Sequence, residues 1–194
     1  IDRMNLEKLD FLIELGDFKD QDAVPNEANT LKYLTDIESG FQKFNGPTYH
    51  VLGNHDMDGI SKQQFLERVE NTGISNTKSY YSFDRKGIHF VVLDGNFTKD
   101  GKSYDHGNFS WDDASIPEEE IAWLKTDLKS NKHPVIVFIH QMLDDSKGEK
   151  QAVQNSAEVR QILEQSGNVI CVLQGHVHEE RYNLINGIHY YSVN

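Results

Sequence analysis

Cysteine is almost missing from this chain: Cys171 is the only one among 194 residues. Neither an intramolecular disulfide nor a thiolate metal cluster can therefore form. Set in the apolar run Val169-Ile170-Cys171-Val172-Leu173, it reads as a small core residue, and one such thiol suits the cytosol and an exported protein alike. Compartment is left open. Basic residues are scarce as well, with 19 Lys and Arg against 31 Asp and Glu and a formal net charge of -12. A surface that negative repels phosphate backbones unless a local cation intervenes, which speaks against a long nucleic acid as partner. No apolar run approaches the roughly 20 residues of a membrane-spanning helix, and no signal-like segment is visible. The chain starts at Ile1 rather than Met, so the natural amino terminus is expected to lie elsewhere.

What is present is an alternation of strands and helices, which predicts an α/β fold in one domain over residues 1–194. Four apolar runs read as short buried strands: Phe11 to Leu15, Thr48 to Leu52, Val135 to Ile139 and Val169 to Leu173. Leu31, Leu34, Ile37, Phe41 and Phe44 recur three or four apart, marking an amphipathic helix over Ala28 to Phe44 that Gly46-Pro47 ends. Ser61 opens a second helix through Val69. Pro117, at its favoured first position, opens a third to about Lys129, and Asn155 to Gln165 is a fourth. Two hairpins are expected, Tyr80 to Asp84 with Ile88 to Asp94, and Tyr182 to Ile185 with Ile188 to Val193 around Asn186-Gly187. Between them Gly95 to Ile116 is polar and aromatic without a period, a length usually kept for function or disorder.

Each of the four buried runs is followed at once by metal-ligand chemistry: Gly16-Asp17, Gly53-Asn54-His55-Asp56, His140, and Gly175-His176-Val177-His178. Strand carboxyl ends are where open α/β sheets place ligands. Transfer of a phosphoryl group needs its oxygens neutralised, a hydroxide made available at neutral pH and a stabilised leaving oxygen, and two divalent ions about 3.5–4 Å apart supply the first two. A carboxylate such as Asp17 can bridge two ions. Imidazoles of His140, His176 and His178 and the amide oxygen of Asn54 suit Zn, Mn, Fe or Ni, among which the sequence does not choose. His176 and His178 are two apart and would point to opposite faces of a plain strand. They converge only if the chain turns there, as Gly175 permits.

These motifs, in this order over nearly the whole chain, resemble the calcineurin-like metallophosphoesterase family. The resemblance implies a four-layer α/β/β/α sandwich with the metals between its sheets. It also implies that Asp17 bridges two metals, that Asn54, His140 and His176 complete one, and that His178 serves the other. His55 resembles the family's histidine near the leaving group, and Asp56 the acid that orients it. The family opens with an Asp-x-His motif on its first strand, and no such motif precedes Gly16. The expectation is therefore a domain lacking its first strand here and cut at both ends, the tail Tyr190-Tyr191-Ser192-Val193-Asn194 breaking off in mid-strand. This chain alone is then expected to hold a single ion. Asp20 stands where purple acid phosphatases carry their iron-binding tyrosine, and Asp20-Gln21-Asp22 departs from the Asp-Arg-Gly of the protein serine/threonine phosphatases. Trp111 to Pro117 and His140 to Asp145 resemble bacterial members grouped with alkaline phosphatases and manganese-dependent ADP-ribose/CDP-alcohol diphosphatases.

The function expected is hydrolysis of a small phosphate ester or nucleotide, whether monoester, diester or diphosphate, by in-line attack of hydroxide at phosphorus. A catalytically silent metal- or nucleotide-binding relative is the alternative if the Asp-x-His pair is truly absent. Candidate substrate contacts are Asn54, Asn96, Tyr104, His106 and Trp111, the last four lying in the long polar segment, where Tyr104, His106 and Trp111 are side chains that could stack on a base or bind a sugar. His50, His89, His133 and His189 match no motif and are assigned to ordinary strand or surface positions. The oligomeric state is open.

Overall fold

A computed structural model of the chain describes residues 1–19, 21–144 and 151–193. In order, its elements are α1 (Asp2–Leu6), β1 (Leu12–Glu14), α2 (Glu27–Phe41), β2 (Thr48–His50), a 3-10 turn (Asn54–Met57) and α3 (Lys62–Leu66). They continue as β3 (Tyr81–Arg85), β4 (Ile88–Val92), α4 (Glu118–Ser130), β5 (Val135–Ile139), α5 (Ser156–Ser166), β6 (Val169–Gln174), β7 (Arg181–Ile185) and β8 (Ile188–Ser192).

β1 and β2 pair in parallel as a two-stranded sheet. The other six strands form a second sheet in the order β3-β4-β5-β6-β8-β7. Its centre, β4 to β6 and β8, is parallel, while the two hairpin partners β3 and β7 run antiparallel at its edges. The central strands are apolar on both faces, and alternation sends their side chains into two separate cores. Val91, Val135, Val137 and Ile139 turn toward α4 and α5, where they meet Ile121, Leu124, Val159 and Leu163. Phe90, Val92, Ile136 and Phe138 turn the other way, toward Tyr49 and Ile13 of the two-stranded sheet and the flanking Val51 and Phe11. Beyond that sheet, Leu34 of α2 and Phe65 and Leu66 of α3 close a third cluster with Leu52, Met57 and Tyr104. The result is an α/β/β/α sandwich whose second sheet has two strands among the described residues.

That small sheet covers only part of its neighbour. The row Phe138, Leu173, Tyr191, Tyr182 lies across one face of the six-stranded sheet, and exposure climbs along it from a buried Phe138 to half-exposed Tyr191 and Tyr182. Helix boundaries follow local chemistry. Ser61 and Gln64 form a reciprocal capping box at the start of α3, and Gly167, with φ of 73°, ends α5 in the left-handed region. Asp20, Asp145 and Asn194, which entered the motif comparison and the reading of the tail, lie outside the described residues.

Candidate metal centre

Four chain crossings meet at one end of the sandwich. After β1 the backbone turns through Gly16, φ 94°, and Asp17, φ 57°. After β2 it enters the 3-10 turn through Gly53. These two turns touch backbone to backbone. A Cβ on Gly16 would stand 2.5 Å from Nδ1 of His140, and one on Gly53 would stand 2.2 Å from the amide nitrogen of Asp17. Both positions therefore demand glycine.

Asp56 fastens the turns together. Its carboxylate is fully buried and accepts hydrogen bonds from the amides of Gly53 at 2.9 Å, Asp17 at 3.1 Å and Phe18 at 2.9 Å. Burial, then the charges of Glu14 and Asp17, push its pKa up to about 7. Its hydrogen bonds go to backbone amides rather than to His55, the ring that the family resemblance implied it would orient. Nδ1 of His55 instead meets Oδ2 of Asp58 at 2.6 Å. Three residues on in a 3-10 turn, the side chain stands directly over its predecessor. That spacing, present in His55-Asp56-Met57-Asp58, was the signal that could have found Asp58. The bond to Asp58 is the main cause raising the pKa of His55, whose ring is half exposed at the rim. Lys19, also unforeseen, is buried beneath and donates from Nζ to the His55 carbonyl at 2.6 Å.

The ligand groups converge on His140. Its Nδ1–H donates to the Leu15 carbonyl at 2.7 Å, which in a neutral ring leaves a lone pair on Nε2. Around Nε2 stand Oδ1 of Asn54 at 3.2 Å, Oδ2 of Asp17 at 3.4 Å and Nδ1 of His176 at 3.2 Å. Ligand atoms of Asp17, His140 and His176 all lie within 4.8 Å of one another. His176 reaches this point because its own φ of 68° turns the chain after Gly175, whose amide is held by the His140 carbonyl at 3.0 Å.

Electron-rich atoms aimed at one small volume repel unless a cation stands among them. Burial works to raise the Asp17 carboxyl, yet the hydrogen bond and charge of His140, with His55, hold it well below the usual carboxylate range. Burial also works to lower His140, but Asp17 overrides it and raises that ring. Burial and then the neighbouring His140 press His176 down to about 4, leaving it neutral and able to act as a ligand. Nε2 of His176 and Nδ2 of Asn54 are buried without a hydrogen-bond partner among the described residues. Imidazole, carboxylate and amide oxygen together fit a borderline divalent ion.

Other expected residues fall at varied distances from this focus. His178, φ 51°, is exposed and lines the same cleft of about 380 Å³ with Ile13, Leu15, Gly16 and Val193, outside the compact triad. Trp111 is half exposed with its ring centroid 6.1 Å from that of His176. Asn96 is fully buried. Its amide donates to the Leu52 carbonyl and Asp94, and its oxygen accepts from Gln141, so it ties the residues before Gly53 and after His140 together. Tyr104 is also fully buried, stacked on Phe109 at 3.9 Å. His106 pairs with Asp105 and faces Glu27. Of the histidines assigned to ordinary positions, His50 is in fact held inside an ion cluster, with Glu14 at 3.1 Å and Glu38 at 3.2 Å. No helix among the described residues is long and apolar enough to cross a membrane.

A family model described as calcineurin-like phosphoesterase matches residues 1–180. The chain is 25% identical over 221 residues to a manganese-dependent ADP-ribose/CDP-alcohol diphosphatase of Arabidopsis thaliana, covering 95% of this chain and 70% of that protein. It is 24% identical to a 3',5'-cyclic-nucleotide phosphodiesterase of a Nostoc species, covering 94% of this chain and 61% of the relative. With purple acid phosphatase 23 of Arabidopsis thaliana it shares 30% identity over 76% of this chain and 31% of the relative. The chain thus spans about a third to 70% of these proteins. In fold it is similar to a dimetal phosphatase from Danio rerio, with a TM-score of 0.76, 16% identity, and 98% and 74% of the two chains covered.

Proposed function

From a chain that belongs to the calcineurin-like phosphoesterase family, we propose that the cluster of Asp17, Asn54, His140 and His176 holds a divalent cation and hydrolyses small phosphoric esters, nucleotides among them. The observation that carries this reading is the meeting of those four side chains, from four strand ends, around Nε2 of His140. A bound divalent ion supplies neutralisation of phosphoryl oxygens and a water acidified toward neutral pH. The remaining steps belong to the chain. Asp56 holds the two glycine turns at the spacing that aims Asp17 and Asn54. His55, with Nδ1 taken by Asp58, presents Nε2 at the half-exposed rim as the proton donor to the leaving oxygen.

The reading extends to a second ion, with Asp17 as the bridge and His178 as one of its ligands, both on the same cleft. Manganese is the metal to try first, in keeping with the diphosphatase relative. The test is a panel of monoesters, diesters and nucleotide diphosphates, assayed on metal-stripped protein with Mn, Zn, Fe, Ni or Mg restored. His55→Ala should keep its metal and lose turnover by about a hundredfold or more. Asp17→Ala should lose both. Full metal content and activity in Asp17→Ala would remove the bridging role, and metal retention without turnover of any ester would favour a silent binding domain.

A further inference from the structure

The triad accounts for how a phosphoryl group would be held but not for what is attached to it. One aromatic side chain stands beside it uncommitted to the core: Trp111, 45% exposed, with its indole centroid 6.1 Å from the His176 ring. The chain around it is built rather than loose. Tyr104, fully buried, stacks on Phe109 with ring planes 4° apart and donates its hydroxyl to the Ser110 carbonyl at 3.4 Å. On the far side Asp113 takes hydrogen bonds from the Lys99 amide at 3.1 Å and from Gln154 Nε2 at 3.0 Å. A turn from Ser110 to Asp113 closes the segment, with the Asp113 amide on the Ser110 carbonyl at 2.9 Å. Two anchors, one on each side, leave the indole outward.

An exposed indole costs free energy in water that burial would recover, and anchoring it beside a cation-binding cluster places a planar apolar surface where the organic half of an ester would lie. Asn96 and Tyr104 are buried, and His106 faces Glu27, so among the candidate contacts of the polar segment only Trp111 offers a free face there. We infer that Trp111 is a specificity-determining residue, stacking on a planar aromatic group such as a nucleobase carried by the substrate's alcohol. The inference rests on the triad being a phosphoesterase centre.

Adenosine 5'-monophosphate and ribose 5-phosphate differ only by the base and carry the same phosphate, which makes them a matched pair of probes. With Trp123→Phe, Trp111 becomes the one tryptophan of the two in the chain, and its fluorescence in Mn-loaded protein reports stacking directly. Adenosine 5'-monophosphate should quench it and ribose 5-phosphate should not. Trp111→Ala should weaken binding of the nucleotide about tenfold while changing the sugar phosphate by less than about twofold, and Trp111→Phe should recover most of the loss. The same split should appear in KM rather than kcat for whichever nucleoside esters are turned over. Equal effects on both probes, or none on either, with turnover of esters intact, would overturn the role of Trp111 and leave the phosphoesterase reading standing. Absence of turnover for every ester by the unaltered, metal-loaded protein would instead bring down the phosphoesterase reading, and the inference with it.

Discussion

Two neighbouring acids do opposite work. Asp56 points inward and collects three backbone amides of the Gly16 and Gly53 turns, whereas Asp58 points along the turn to the ring of His55. Removing the Asp56 carboxylate leaves buried N–H groups without partners, each costing about 1–3 kcal/mol. Asp56→Ala is therefore expected to lower unfolding free energy measured in urea by several kcal/mol and to lose metal affinity, because the turn carrying Asp17 loses its clamp. Asp58→Asn should leave stability and metal content nearly unchanged. Its cost should appear as about a tenfold loss of turnover on esters with alkoxide leaving groups and little loss on p-nitrophenyl esters, whose leaving oxygen needs no proton. A uniform loss on both ester types would place Asp58 outside proton delivery. The Gly-Asn-His-Asp motif was legible as a site, but which carboxylate met the imidazole was not, since both acids lie within reach in sequence and only the 3-10 turn selects the one three residues on.

At the scale of elements, β1, β2 and α2 are joined through a buried ion cluster. His50 of β2 sits between Glu14 of β1 and Glu38 of α2, and Phe18 and Phe41 pack edge-on or tilted against its ring. Glu14 in turn accepts from the amide of Gly16 at 2.5 Å, so this cluster lies one step from the turn that aims Asp17. Burial alone would lower the pKa of His50, but the two carboxylates outweigh it and raise the value from 6.5 to about 9. The folded state then binds the proton more tightly than the unfolded chain. Its stabilisation is complete below about pH 6.5 and is lost as pH rises through about 9, a difference on the order of 3 kcal/mol. Urea unfolding between pH 6 and 9.5 should show this decline, and His50→Gln should flatten the slope to the part that Asp56, His55 and His140 contribute while lowering stability at pH 6. A second check lies at α3, where Ser61→Ala breaks the capping box and should cost about 1 kcal/mol. That cap and the helical periods could be read from neighbouring residues. The ion cluster could not, because Glu14, Glu38 and His50 belong to three elements whose docking no local pattern records.

For the molecule as a whole, the formal charge of -12 and the gathering of Asp17 with His140 and His176 make cation binding a question of global stability. Any ion that binds the folded state alone stabilises it by mass action, about 2.7 kcal/mol at a hundred times its Kd. For a domain of this size that corresponds to a Tm higher by about 5–10 °C. Calorimetry with and without Mn should show the shift, and Asp17→Ala should abolish it. A Tm indifferent to Mn in the unaltered protein would remove the cation from the cluster.

By itself the sequence determined the alternation of elements, the apolar character of the central strands, and the four strand-end motifs, because periodicity, turn chemistry and ligand type are properties of adjacent residues. The four layers and the ligand roles came from resemblance, and the structure bears out the layers. Only the tertiary structure decided that Asp58 rather than Asp56 holds His55, that Asn96 and Tyr104 face inward while Trp111 faces out, and that His50 lies buried between Glu14 and Glu38. Each of those outcomes turns on distances of a few ångströms between segments tens of residues apart, set by how two sheets and their helices pack, and packing is a property of the whole chain rather than of any stretch of it.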